Sequence, residues 1–179
     1  MSRIVILYSS TDGHTKTISE SIALEQQQLG HRVEIHALTA APKLDEFDCI
    51  LIGASIRYGK FQPSLFEFIR ANQALLEQKN SGFFGVNVVA RKPLKNRADT
   101  NPYMIKLFEQ IDWQPAYKDV FAGRIDYPSY SVFDRVMIRF IMWITKGPTD
   151  TTQTYEFTDW QRVREFALRF VESKGSTDE

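Results

Sequence analysis

The strongest constraint on this chain lies at its start. Residues 4–17, Ile4-Val5-Ile6-Leu7-Tyr8-Ser9-Ser10-Thr11-Asp12-Gly13-His14-Thr15-Lys16-Thr17, pass from an unbroken apolar run into hydroxyls and one glycine, after which a helical pattern begins. That order reads as a buried strand, a loop and a helix start. Ser9, Ser10, Thr11, Thr15 and Thr17 carry hydroxyl donors, and Gly13 can take backbone angles that other residues resist. Loop amides beside a helix N-terminus form an anion site, so a phosphate fits here without a lysine. An ordinary Ser/Thr-rich turn that caps a helix fits the same residues.

Neither of two common glycine-rich nucleotide patterns is present: there is no G-x-x-x-x-G-K-[ST] and no G-x-G-x-x-G. What remains, Ser10-Thr11-Asp12-Gly13-His14-Thr15 directly after the first strand, resembles the flavin mononucleotide (FMN) phosphate loop of flavodoxins, [ST]-x-T-G-x-T. It departs from that pattern at Asp12. A carboxylate there would repel a phosphate dianion, so Asp12 is expected to point away, toward loop amides or Lys16.

A chain of 179 residues is one domain by length and can bury a sizeable core. With 22 basic and 22 acidic residues it has no general attraction to nucleic acid, and none is expected as a partner. The single cysteine, Cys49, sits in the apolar run Cys49-Ile50-Leu51-Ile52, which excludes an internal disulfide and suggests a small core residue. No spacing of histidine and cysteine suits a metal, and His31 and His36 read as surface or edge positions. The first strand begins within three residues of Met1, so no signal peptide is expected and the protein is placed in the cytoplasm.

Further along, Ile18, Ile22, Ala23 and Leu29 mark a helix that Gly30 can end, and residues 32–38 alternate as a half-buried strand. Residues 48–54 are apolar without alternation, as in a parallel strand covered on both faces. They lead into Gly53-Ala54-Ser55-Ile56-Arg57-Tyr58-Gly59-Lys60, and Pro63, Ser64 and Glu67 read as a capping box for the next helix, with Leu65, Phe68, Ile69 and Leu76 buried. Residues 82–90 read as a fourth strand, followed by a loop with Arg91, Lys92, Lys95 and Arg97 and no acid. Thr100 and Pro102 suit a helix start with Met104, Leu107, Phe108 and Ile111 inside, and residues 117–125 read as a fifth strand. Thr158 with Gln161 announces a last helix whose buried face is Trp160, Val163, Ala167, Phe170 and Val171. The expected fold is α/β, a doubly wound five-stranded parallel sheet within a single domain at 1–174, with a polar tail at 175–179.

An insertion at about 126–150 exceeds what such a fold needs. Its helical part, residues 132–146, is about 22 Å long at about 1.5 Å per residue, against about 30 Å for a bilayer core, so it cannot span one. Asp134, Arg135, Arg139 and Lys146 are its only charges, and Arg135 and Arg139 share a face. Packing in the core, lying in a membrane interface and contact between copies of the chain all fit it. Because the sheet already has covering helices, a helix used for binding is favoured.

Three segments narrow the family: Gly53-Ala54-Ser55-Ile56-Arg57-Tyr58-Gly59, then Val86-Asn87-Val88-Val89-Ala90-Arg91-Lys92-Pro93, then Tyr127-Pro128-x-Tyr130 with Phe133-Asp134-Arg135-x-Met137-Ile138. Over essentially the whole chain, insertion included, they resemble the flavodoxin-type, menaquinone-dependent protoporphyrinogen oxidases of bacterial haem synthesis. The resemblance implies a flavodoxin-like sheet order 2-1-3-4-5 and FMN bound by Ser10, Thr11, Asp12, Gly13, His14 and Thr15 at its phosphate. The ring would lie between Ser55, Ile56, Arg57, Tyr58, Gly59 and Asn87, Val88, Val89, Ala90, Arg91. Tyr58 would stack on it, and the second loop offers no aromatic, leaving a ring face open to a bulky substrate.

Protoporphyrinogen IX, a flat apolar macrocycle with two propionates, would be met by Arg57, Arg91, Lys92, Tyr127, Tyr130, Phe133 and Arg135; a solvated surface role is the alternative for each cation. The implied reaction is a six-electron oxidation carried by the flavin, with electrons passed to menaquinone or ubiquinone. A lipid-soluble quinone would give helix 132–146 a reason to touch the cytoplasmic face of the inner membrane. No catalytic base stands out, and His14 reads as a loop or surface residue. Two rivals are a flavodoxin electron carrier, which neutral net charge and basic loops disfavour, and an NAD(P)H:quinone reductase.

Overall fold

The computed structural model describes residues 1–172. Five strands, β1 (Arg3–Ser9), β2 (Arg32–Ala37), β3 (Cys49–Ser55), β4 (Asn80–Val86) and β5 (Tyr117–Phe121), pair in parallel in the order β2-β1-β3-β4-β5. Around them lie helices α1 (His14–Gln28), α2 (Pro63–Gln78), α3 (Pro102–Gln110), α4 (Val132–Ile144) and α5 (Trp160–Glu172). The doubly wound class expected from the pattern of strands and helices, and the strand order implied by the family resemblance, are the ones observed.

Successive residues of a strand point to opposite faces, and the two cores follow from that rule. Val5, Leu7, Ile50, Ile52 and Phe83 pack under α2 and α3 against Leu65, Ile69, Met104 and Leu107. Ile4, Ile6, Cys49, Leu51 and Phe84 pack under α1 and α5 against Ile18, Ile22, Val163, Phe166, Ala167 and Phe170. Gly53 is required where the central strands meet: a Cβ there would lie 2.2 Å from Phe84 Cζ.

Several expected boundaries shift, each for a local reason. β4 stops at Val86, because Asn87 Oδ1 accepts the Ala90 amide at 3.0 Å and turns residues 88–91 into a 3-10 turn. The fifth strand ends at Phe121; residues 124–126 form β6 (Arg124–Asp126), which pairs antiparallel with an unforeseen β7 (Thr154–Glu156). Ser64 does not cap α2, which starts after Gln62 with Pro63 at its first position. Asn101, not Thr100, caps α3, and the Arg162 amide donates to Asp159 Oδ1 at 3.1 Å, so Asp159 and not Thr158 caps α5. Leu29 lies past the end of α1 and Trp160 at the start of α5, and both are partly exposed, while Phe166 fills the core. The tail at 175–179 lies outside the described residues.

The insertion leaves along β6 and returns along β7, so its ends are pinned together. Between them Tyr127, Tyr130 and Met142 make a small core of their own with Ile125. Ser131 caps α4 by accepting the Asp134 amide at 3.1 Å. The helix ends two residues earlier than expected, in a Schellman arrangement with Lys146 left-handed (φ 56°) and the Gly147 amide on Met142 O at 2.7 Å. Among the described residues no helix is long and apolar enough to cross a membrane.

Replacing Gly53→Ala should destabilise the fold by about 1–3 kcal/mol through overpacking against Phe84. Chemical denaturation measures it; an unchanged midpoint would show that the Phe84 ring yields freely.

Candidate functional site

A cavity of about 510 Å³ opens at the carboxyl ends of β1, β3 and β4. This is the edge where the chain leaves β1 and β3 toward opposite faces, the place where open α/β sheets bind ligands. Ser10, Asp12, His14 and Thr15 line it from the first loop, Ser55, Ile56, Arg57, Tyr58 and Gly59 from the second, and Asn87, Val88 and Val89 from the third. The insertion closes the far side with Tyr130, Met137, Ile138, Ile141 and Met142, and Tyr103 and Arg124 complete the wall.

The first loop carries unpartnered polar groups. Gly13 is the residue before α1, with φ 82°, and no side chain caps the helix, so its first amides are left open. Ser10 Oγ, Thr15 Oγ1 and His14 Nδ1 are buried without a hydrogen-bond partner. Buried polar atoms normally find partners, and three orphans in one turn beside an open helix end fit a bound phosphate. The loop is held from below: Ser9 Oγ donates to Gln62 Oε1 at 3.1 Å, Gln62 Nε2 to Thr11 Oγ1 at 3.4 Å, and the Thr11 amide to Ser55 Oγ at 3.2 Å. Gln62 was invisible in the sequence because its role depends on the β1–β3 pairing.

Asp12 does not turn to Lys16, which pairs with Glu20. It meets Arg57 at 2.5 Å, which offsets its charge beside the open end of α1. Arg57 also binds Asp134 of α4 at 3.1 Å and lies over the rings of Tyr58 and Tyr130, at 5.4 Å and 5.1 Å. Burial works against the guanidinium charge, but the two carboxylates outweigh it and raise its pKa. Tyr58 donates its hydroxyl to Asp134, and this bond, with those from Ser131 and Arg57, holds the Asp134 carboxyl below its ordinary value. Tyr58 and Gly59 both have positive φ, 49° and 75°, between the mutual backbone bonds of Arg57 and Lys60 at 3.0 Å. That tight turn lifts the Tyr58 ring, 44% exposed, to the mouth of the cavity.

Other expected site residues lie elsewhere. Arg91 donates to Val88 O at 3.0 Å and to Thr145 O at 3.2 Å, which fixes the C-terminal end of α4. Arg135 donates to the carbonyls of Tyr127, Pro128 and Tyr130 at 3.1, 3.3 and 3.3 Å, clasping the first turns of α4 to the preceding loop. Tyr127 is fully buried with its hydroxyl on Pro148 O at 2.8 Å, and Phe133 is 70% exposed on the outer face of α4. Ala90 is buried and Lys92 half-buried, and neither lines the cavity. His14, expected at the surface, is only 7% exposed, with Nε2 2.7 Å from Thr158 Oγ1.

The family model for the flavodoxin domain matches residues 5–152. The chain belongs to the flavodoxin-domain family. Among curated relatives, a Leishmania major protein named protoporphyrinogen IX dehydrogenase [quinone] is 42% identical over 175 residues, covering 94% of this chain and 74% of that one. A protein of the same name from Escherichia coli K12 is 38% identical over 168 residues, covering 92% of both. Solved structures of oxidised flavodoxin 1 from Bacillus cereus (16% identity, TM-score 0.56, 95% of this chain and 97% of that one) and of a short-chain flavodoxin associated with a bacterial microcompartment (15%, 0.60, 97% and 99%) share the fold.

The Arg57–Asp134 tie predicts a specific loss. In Arg57→Ala, amide hydrogen exchange of α4 should speed up while β1 and β3 stay protected; equal protection in α4 would show that the insertion does not depend on Arg57. In the native chain a depressed Asp134 pKa means the tie is present above the ordinary carboxyl value of about 3.9 and is lost as pH falls through the lower folded value. Protection of α4 should therefore persist at pH 5 and fail only in stronger acid.

Proposed function

We propose that this chain oxidises protoporphyrinogen IX to protoporphyrin IX using FMN, with a membrane quinone as electron acceptor. The observation that carries the reading is the combination, in one cavity, of an uncapped helix end with orphaned hydroxyls and an apolar wall from the insertion. The names of relatives at 38–42% identity along most of the chain supply the substrate and acceptor class.

The residues fit the cofactor. The open amides at the start of α1 with Ser10 Oγ and Thr15 Oγ1 would hold its phosphate, and Tyr58, at the tip of a tight turn, would bear on its ring. When bound, FMN supplies the two-electron acceptor chemistry that protein side chains lack. Arg57 keeps Asp12 paired, so the phosphate meets donors rather than a carboxylate. Met137, Ile138, Ile141 and Met142 would face the macrocycle and exclude water, and two of the four are methionines, whose flexible side chains adapt to a bulky apolar ligand. Tyr130 lines that cavity and Lys92 follows the cavity-lining Val89 in the third loop; these two would meet the propionates, since Arg57 is held by Asp12 and Asp134. Arg91, Arg135 and Tyr127 act one step back, by holding α4 and its loop in place.

The outer face of α4 carries Phe133, Val136, Phe140, Trp143 and Ile144, all exposed, with Arg139 nearby and Lys146 at the helix end. Burying aromatic side chains while cations meet acidic headgroups is the pattern of an interfacial helix. We assign this face to the cytoplasmic surface of an anionic bilayer, where a lipid-soluble quinone is found.

Thr15→Val removes one donor to a charged group, worth about 1.5–3 kcal/mol, and should weaken FMN roughly 10–100-fold while changing riboflavin, which has no phosphate, little. Equal losses for both ligands would move the phosphate elsewhere. The rival reductase predicts rapid flavin bleaching by NADH or NADPH; this reading predicts none. In vesicle sedimentation the native chain should bind phosphatidylglycerol and not phosphatidylcholine, and Phe140→Ser with Trp143→Ser should abolish binding while sparing turnover with a soluble quinone. A chain that ignores vesicles but dimerises through this face in ultracentrifugation would overturn the membrane assignment.

A further inference from the structure

His14 opens α1 yet is buried, and its surroundings fix its tautomer. Its Nε2 lies 2.7 Å from Thr158 Oγ1 and 3.3 Å from Glu156 Oε1. The Thr158 hydroxyl has a single proton, which it donates to Ala122 O at 2.8 Å, so toward His14 it can only accept. The imidazole proton therefore resides on Nε2, and in the neutral ring Nδ1 is a bare lone pair. That Nδ1 is buried without a partner, on a residue lining the cavity beside the orphaned hydroxyls of Ser10 and Thr15.

A lone pair beside a docked phosphate repels it; a proton on the same atom makes it a donor. We infer that His14 anchors the phosphate of the cofactor by taking a proton from solvent onto Nδ1 as the phosphate docks, so that cofactor and proton enter together. The inference rests on the FMN reading above. Charged groups around the ring oppose one another: Glu156 of β7 favours the imidazolium, Arg124 of β6 disfavours it, and Trp160 of α5 lies edge-on at 5.9 Å. Asp12, on the same loop, is engaged by Arg57. In the protein alone, burial comes first and lowers the His14 pKa, which keeps the ring neutral near pH 7. A phosphate dianion pulls the other way. Because the pKa is higher in the complex than in the empty site, FMN affinity rises as pH falls through the bound value and levels off below the free one.

Calorimetry on the full chain stripped of flavin, near pH 7.5 in buffers of different ionisation enthalpy, counts the protons; FMN is then mostly dianionic, since the second phosphate pKa is about 6. The expected result is uptake approaching about one proton with FMN and none with riboflavin. His14→Gln should lose the uptake and bind FMN about tenfold more weakly, with riboflavin unchanged, and His14→Asn serves if the first variant misfolds. Nitrogen NMR of the native chain needs no variant: Nδ1 should shift to its protonated position when FMN is added. FMN binding with no proton uptake and an unshifted Nδ1, or uptake that persists in both variants, would overturn the role of His14 and leave the FMN site standing. Failure of both flavins to bind would remove the cofactor reading and this inference with it.

Discussion

Parallel pairing of β1 with β3, from Ile4 opposite Cys49 to Ser9 opposite Ala54, is the constraint on which the site depends. It brings the loops after the two strands side by side at the carboxyl edge, while the helices that follow go to opposite faces of the sheet. A ligand can then enter between two loops without displacing a packed core. The Thr11–Ser55 and Ser9–Gln62 bonds follow from that adjacency, as does the salt bridge from Asp12 to Arg57. Through Asp134 the same arginine reaches the insertion, so one guanidinium ties the anion loop, the Tyr58 turn and α4.

The helix of the insertion presents two different faces. Its inner side supplies Met137, Ile138, Ile141 and Met142 to the cavity, and its outer side leaves Phe140 and Trp143 exposed. Polar clasps hold it at both ends: Arg135 and Asp134 near the start, Arg91 on Thr145 at the end. Such a helix does not need a deep core to stay in place, which is why so much of its apolar surface remains available.

Much of the fold could be read directly from the chain. The apolar runs through Ile4 and Ile50 announce strands buried on both faces, and the 3.6-residue spacing of Val163, Ala167 and Phe170 announces a covering helix. What escaped was set by tertiary contacts. Thr158 looks like a cap, but its hydroxyl is spent on Ala122 O, and Asp159 caps in its place. Residues 122–125 continue the apolar pattern of β5, yet antiparallel pairing with residues 154–156, about thirty positions away, claims part of them. In the site, the hydroxyl loop and the Tyr58 turn were legible because local chemistry defines them. Arg91 and Arg135 were not, since a cation in a loop reads the same whether it faces a ligand or a helix end. His14 was misread for the same reason: its burial comes from β7 and α5, far along the chain.

The proposed activity is oxidation of a porphyrinogen through FMN, with the electrons passed on to a quinone. The most direct measurement is an anaerobic titration of the flavin-loaded full chain with protoporphyrinogen IX, following flavin absorbance and porphyrin fluorescence, with a soluble quinone added at the end. Flavin bleaching in step with porphyrin formation, reversed by quinone, is the predicted result. A flavin that stays oxidised in the presence of protoporphyrinogen would contradict the account.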